Sequence, residues 1–424
     1  MSNTLLPVIH PQPDHIGPLA SIRVVDLSRL VAGNMLSLQL ADFGADVIKV
    51  ESPQSGDTLR HWREVHDDYP DGYDGWWRVY GRNKRSLALN LRDDAAMAHL
   101  VALIGTAQVL IESFRPGTLE AMGLAPEVLH RRNPKLVIVR VSGWGQSGSQ
   151  RDLPGFGSLI EGFSGFAHKH QSNGSPQLPN MALADMVAGL TGAFATMIAL
   201  REVEVNSGRG QVIDLSLLDP MLAIMGPDVT HYAATGRHAP PQTKIASPRG
   251  VYRCKDGKWI ALSGSTQAMA RRVFEAIGEA TLFDDPRFAT NAARLQHDVI
   301  IDKMINGVVQ DLDRDACLRL FRSSGVTVGP IYDAHDLIHD DHIATRAAYV
   351  AVRHAAGSDE AVPGGAPSTT TVMHNITPTL SDTPGAVRRL APDLGADTRV
   401  ILVELDVSQA DIDELCEKGA IECR

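Results

Sequence analysis

Between residues 21 and 142 the chain alternates short β-branched runs with stretches of helical apolar spacing, and nothing else in the sequence narrows the fold as far. Strands are predicted at 22–27, 46–51, 86–91, 108–112 and 136–141, with helices from the first strand to Phe43, at 93–104 and at 117–131. Strand–helix–strand units of this length pack as parallel strands with right-handed crossovers, so the rhythm predicts a parallel sheet flanked by helices. Residues 207–211 read as a turn and 212–217 as a further strand. A second unit is expected from about Pro248 to Pro330, opening with a hairpin across Lys255, Asp256 and Gly257. The Gly-, Ser-, Thr- and Pro-rich stretch 355–371 reads as an exposed loop, and 408–418 as a polar helix.

A length of 424 residues accommodates two or three domains, and a composition 44% hydrophobic and 21% charged is that of globular, soluble ones. The net charge of −10 argues against nucleic acid as a general partner. Cys254, Cys317, Cys416 and Cys423 have no CxxC spacing, and the N-terminus lacks the basic region and apolar core of a secretory signal. Reduced thiols and a cytoplasmic location are expected.

Asp185 is the one ionisable group in residues 181–200. Burying a lone carboxylate costs several kcal/mol, roughly, so its presence there calls for a use. It reads first as the N-cap of a buried helix, and a cap can also be a nucleophile, since free N–H groups and the dipole at a helix N-terminus favour an anion. The stretch is long enough for a membrane span, but it carries Asp185 and glycine breaks and has no second span beside it. No membrane is expected as a partner.

Three further motifs each have a simpler explanation beside the functional one. Gly143, Gly145 and Gly148 form a literal G-x-G-x-x-G after a strand, yet residues 149–155 are helix-breaking, so a dinucleotide phosphate would find no helix N-terminus. His335, His339 and His342, mixed with Asp336, Asp340 and Asp341, read as a solvated polar segment, and no metal is expected. Arg29, Lys84, Arg85, Arg92 and Arg115 recur near strand ends. They are either phosphate contacts for a bulky anionic ligand or ordinary surface charge.

Several segments, in order and spacing, go beyond a generic α/β protein: DLSRLVAG at 26–33, LADFGADVIKVE at 40–51, Gly56 with Asp57, NKRS at 83–86, FRPG at 114–117, MGL at 122–124, SGWGQ at 142–146, LAD at 183–185 and GRGQ at 208–211. In these the chain resembles the family III CoA-transferases (the CaiB/BaiF group), from about residue 20 to the C-terminus. The resemblance implies that Asp185 is the nucleophile, forming an aspartyl anhydride and then an aspartyl-CoA thioester. It implies coenzyme A as the acyl-CoA substrate, with small carboxylic acids as the other partners. It places Arg29, Leu30, Val31, Leu89, Arg92, Ser113, Phe114 and Met122 along the CoA, with Lys84, Arg85 and Arg115 as further cations for its phosphates.

The resemblance also implies an α/β fold, with a Rossmann-like parallel-sheet large domain and a smaller α+β domain in an interlocked homodimer. On that pattern residues 1–225 carry the CoA site and the catalytic Asp, 226–345 the linker and small domain, and 346–424 a return to the large domain. The chain departs from the family at several points. The racemase branch needs a His and an Asp where Phe156 and Gly157 stand, so CoA transfer is favoured over racemisation or isomerisation. Members using formyl-CoA carry a Gln at Val31, which makes oxalate less suitable than a C4 or C5 dicarboxylate with succinyl-CoA as donor. A CoA-binding protein without activity is the third reading, and the retained Asp185 speaks against it.

Overall fold

In a computed structural model, described over residues 6–66, 69–238, 244–354 and 369–423, the rhythm of the N-terminal third becomes a sheet. Its elements are β1 (Arg23–Asp26), α1 (Leu30–Asp42), β2 (Asp46–Glu51), β3 (Lys84–Leu89), α2 (Asp94–Thr106) and β4 (Val109–Glu112). They continue with α3 (Thr118–Ala121), α4 (Pro126–Arg132), β5 (Val137–Ser142), α5 (Gly157–Phe163), α6 (Leu183–Val205) and β6 (Val212–Ser216). The strand order is β6-β5-β4-β1-β2-β3, all parallel, and β7 (Ile421–Glu422) is added antiparallel to the edge of β3. Chain order therefore reverses between β1 and β4, and ligands of open α/β sheets bind outside the carboxyl ends of strands at such a point.

Side chains along a strand alternate between faces, and here both faces are covered. Val24, Val47, Val109, Val137 and Val139 pack towards α1 and α6, while Val25, Ile48, Leu110 and Ile138 pack against Leu100, Leu103, Leu129, Ile401 and Ile412. This two-sided burial is why the strands read as continuous β-branched runs.

The single helix expected over 117–131 is two. Gly123 adopts φ +75° between α3 and α4, a conformation that suits a residue without Cβ, and Pro126 opens the next helix. Most of the loop expected at 355–371 lies outside the described residues, but Thr370 and Thr371 begin the strand Thr370–His374, paired antiparallel with Tyr349–Arg353.

By contacts the chain divides into two units, one of Leu6–His238 with Ala347–Arg424 and one containing Ala239–Arg346. The sequence put the start of the linker and small domain at 226; helix Asp228–Thr235 falls instead in the larger unit. The smaller unit carries a three-stranded antiparallel sheet of Arg249–Arg253, Trp259–Ser263 and Val328–Ile331. Its first two strands form the expected hairpin, turned at Gly257 with φ +80°. In its polar segment Asp333, His335 and Asp336 bring ligand atoms within 4.8 Å of one another. Asp336 is engaged there by Arg314 at 2.7 Å, and Asp333 accepts the Asp336 N–H.

Among the described residues, helix α6 alone is long and apolar enough to cross a membrane by length and composition. Ala184, Ala188, Gly189, Gly192, Ala193 and Thr196 on one side of it are buried. The approach to α1 is close: a Cβ on Gly189 would lie 2.6 Å from Met35 Cβ and 2.8 Å from the Ala32 carbonyl oxygen. Gly189→Val is therefore expected to destabilise the fold by about 2 kcal/mol through overpacking, read from the midpoint of urea unfolding; an unchanged midpoint would contradict the contact.

Candidate active site

The α1–α6 contact decides where Asp185 goes. It is the third residue of α6, and the N-cap is Ala182, which makes no side-chain cap. Asp185 is thus not the cap that its place before an apolar run suggested. The second residue of the helix, Ala184, donates its N–H to the buried Glu161 of α5 at 3.2 Å. Glu161 takes part of the helix terminus, and the Asp185 carboxylate lies where its own N–H and the N–H of Ala32 in the first turn of α1 favour the anion. Two helix N-termini converge on one carboxylate, an arrangement that favours the anion.

Burial works the other way. Desolvation, and then the charge of Glu161, push the Asp185 carboxyl up to about 6, against the pull of the two backbone N–H groups. Gly157 makes room for the group: a Cβ there would stand 2.4 Å from Asp185 Oδ2.

Asp185 opens into a cavity of ≈ 350 Å³ at the carboxyl ends of β4 and β5, lined also by Arg29, Leu30, Ser113, Phe114, Arg115, Trp144, Arg151 and Phe156. The wall from 151 to 156 is pressed onto the end of β5, because Gly143 and Gly155 leave their backbones in contact and Trp144 Nε1 donates to the Pro154 carbonyl at 3.1 Å. No helix opens at Gly148, so the glycine motif serves this packing and not a dinucleotide phosphate.

A second cavity of ≈ 730 Å³ lies at the carboxyl ends of β1, β2 and β3, lined by residues that include Ser28, Arg29, Asn90, Arg92, Phe114 and Met122. Arg29 and Phe114 line both, so the two cavities adjoin across the point where strand order reverses. Its acidic residues are already engaged: Glu51 pairs with Arg60 at 2.7 Å and Asp57 with Lys49 at 3.0 Å. Arg29 and Arg92 are the cations lining this cavity, with Arg115 and Arg151 in the smaller one.

Of the predicted site residues, Asp185, Arg29, Leu30, Leu89, Arg92, Ser113, Phe114, Met122 and Arg115 line one cavity or both. Three do not. Val31 is fully buried against Leu59 and Trp77. Lys84 and Arg85 begin β3, at the end of the sheet away from the cavities. The Lys84 ammonium is enclosed and bonded to Asn34 Oδ1 at 2.8 Å, with burial lowering it to about 7. Arg85 is held by Glu404 at 2.6 Å and Asp46 at 3.2 Å. The sequence reading missed Glu161, although an acid inside an apolar run is the signal that singled out Asp185. It missed Arg151 too, which sits in a segment read only as helix-breaking.

Residues 19–398 match the family described as CoA-transferase family III. The chain belongs to that family. It is 34% identical over 398 residues to the succinyl-CoA--D-citramalate CoA-transferase of Chloroflexus aurantiacus, covering 92% of this chain and 94% of the relative. It is 31% identical to the succinate--glutarate CoA-transferase of Agrobacterium fabrum, covering 93% and 97%. The crystal structure of a CAIB/BAIF family protein from Brucella suis superposes with a TM-score of 0.79 at 26% identity, over 92% of this chain and 100% of that one. As a CoA-transferase the enzyme acts on CoA thioesters.

A reaction that uses ionised Asp185 is expected to hold kcat/KM level above about pH 7 and to lose about tenfold per pH unit below its pKa of about 6. Glu161→Gln keeps an acceptor for Ala184 and removes the charge, so the acid limb should move to lower pH in the pH–rate profile. Gly157→Ala should lower turnover about a hundredfold by displacing the carboxylate, since a misplacement of about 1 Å costs that much; wild-type turnover in this variant would show that the space beside Oδ2 is dispensable.

Proposed function

We propose that the enzyme moves CoA from a dicarboxylic acyl-CoA, succinyl-CoA foremost, to a second small carboxylic acid through covalent intermediates on Asp185. The observation that carries this is the Asp185 carboxylate facing an apolar-walled cavity, its anion favoured by N–H groups at two helix N-termini. The printed activities of the relatives support the substrate class, since succinyl-CoA or succinate pairs with citramalate or glutarate in their names.

The carboxylate attacks the thioester carbonyl, the C–S bond breaks, and an aspartyl anhydride and CoA thiolate result. The thiolate attacks the aspartyl carbonyl, forming the aspartyl-CoA thioester and releasing the donor acid as its carboxylate. The acceptor carboxylate attacks that thioester and regenerates thiolate and a new anhydride. Attack of the thiolate on the acceptor's carbonyl then yields the new acyl-CoA and free Asp185. Each step exchanges one activated acyl bond for another, which is the gain of covalent catalysis. Trp144, Phe156, Leu153 and Phe114 give the cavity apolar walls, and the chemistry requires that water be kept from the anhydride, which it would hydrolyse. Arg29 and Arg92 are suited to the CoA phosphates.

A racemase of the same fold needs a base on each face of the α-carbon. Among the described residues lining the cavity, Asp185 is the one group able to take a proton near neutral pH, the other ionisable residues being Arg29, Arg115 and Arg151. The proposal includes a homodimer and a cytoplasmic location. Leu190, Phe194, Met197, Ile198 and Val205 form an exposed apolar stripe at helical spacing on α6, the kind of face that a second copy would cover.

Incubation with succinyl-CoA and a panel of carboxylic acids is expected to give new acyl-CoA by mass spectrometry, with hydroxylamine trapping a hydroxamate on Asp185. Asp185→Ala should lose about 10³-fold or more in kcat while keeping CoA affinity. Deuterium entry at the α-carbon of a 2-methylacyl-CoA without exchange of CoA would favour the racemase reading instead, and light scattering of a folded monomer would remove the dimer.

A further inference from the structure

Leu30, the first residue of α1, has φ +63°, a left-handed conformation that an L-residue with a bulky side chain rarely adopts. Arg29 is the N-cap, and its side chain makes no cap hydrogen bond. The turn is instead held from below. Asp57, in the loop after β2, accepts the Leu30 N–H on Oδ1 at 3.0 Å and the Leu59 N–H on the same oxygen at 2.8 Å. On Oδ2 it accepts Asn34 Nδ2 at 2.7 Å and pairs with the Lys49 ammonium at 3.0 Å. Asn34 Nδ2 also donates to the Leu30 carbonyl at 2.6 Å, so both polar groups of the Leu30 backbone are gripped. Lys49 is fully enclosed and also reaches Asp26 at 3.3 Å and the Ser28 carbonyl. Gly56 allows this loop its shape, since a Cβ there would meet Arg60 Cδ at 2.8 Å.

The order of the clamped turn matters. Leu30 lines the Asp185 cavity, and two residues on, the Ala32 N–H faces the Asp185 carboxylate closely enough to favour its anion. Arg29 is anchored separately, its N–H donating to Ser113 Oγ at 3.0 Å. We infer that Asp57, paired with Lys49, is a positioning residue that locks Leu30 in the left-handed conformation and thereby aims the first turn of α1 at Asp185. The role does not require contact with substrate. It acts through one backbone turn, and a buried ion pair with every lone pair satisfied is rigid enough to hold it. Lys84, bonded to the Asn34 carbonyl and Oδ1 from the other side, completes the support.

This rests on the reading of Asp185 as the reacting carboxylate, and the test separates the two. In Asp57→Asn, kcat for CoA transfer should fall about ten- to a hundredfold while KM for the acyl-CoA changes less than about threefold, because Arg29 keeps its own anchor. Hydrogen exchange at the amides of residues 30–33 should quicken about tenfold or more. Adding Leu30→Gly should bring kcat back to within about threefold of Leu30→Gly alone, since glycine holds a positive φ without a clamp. Loss of folding in Asp57→Asn would move the test to Asn34→Ala, which leaves the ion pair intact and should give a smaller loss rescued by the same glycine. Unchanged exchange at 30–33, or a kcat loss that Leu30→Gly does not relieve, overturns the inference. A wild-type enzyme that exchanges slowly there yet transfers no CoA would overturn the reading of Asp185 and leave the clamp standing.

Discussion

The contact between α1 and α6 is the constraint on which the site depends. Two helices come this close only where one of them lacks side chains, and Gly189 and Gly192 supply that face: Cβ atoms there would overlap Met35, Leu36, Leu215 and the Ala32 carbonyl. Close packing of small residues costs backbone entropy in the unfolded chain, of the order of 1 kcal/mol per glycine in a helix. In return the first turns of both helices lie side by side, and a carboxylate on one is within reach of an N–H on the other.

Strand order then places this pair beside room for a large ligand. Because β1 and β4 are neighbours whose connections leave in opposite directions, the loops after them part, and the gap between is the shared edge of the two cavities at Arg29 and Phe114. The proposed function would lay a molecule with phosphates at one end and a thioester at the other across that edge, between Arg29 and Arg92 on one side and Asp185 on the other. The sheet itself supplies no chemistry. It fixes the separation of the two ends to the precision of a packed core.

The sheet was legible because doubly covered strands write a dense β-branched signal, and Asp185 because a lone acid in an apolar run is conspicuous. Position within the first turn was not legible: whether an acid is the N-cap or the third residue depends on which neighbour takes the free N–H groups, and Glu161 is 24 positions away in the chain. The same limit explains Lys84 and Arg85. A basic pair beside a strand looks the same at either end of it, and only the start of β3 at Lys84 sends one cation into the interior and the other to Asp46 and Glu404. Val31 failed for a related reason. The Arg29–Leu30 turn is extended and then left-handed, so the next side chain points into the core and not along the cavity.

A second acid beside the carboxylate proposed to react looks wasteful, since like charges at close range raise the energy of both. At Asp185 the repulsion from Glu161 adds to desolvation, and the two N–H groups offset only part of it. A carboxylate whose acid sits at about 6 is still mostly ionised at neutral pH, and it is more basic than one at its ordinary value, so it attacks a thioester more readily. A larger rise would leave it protonated and inert. Full hydrogen bonding to the helix termini would leave it ionised but as poor a nucleophile as a carboxylate in water. Glu161 therefore does two things: its oxygen accepts from Ala184 at the helix start, and its charge adds to the burial that raises the Asp185 carboxyl.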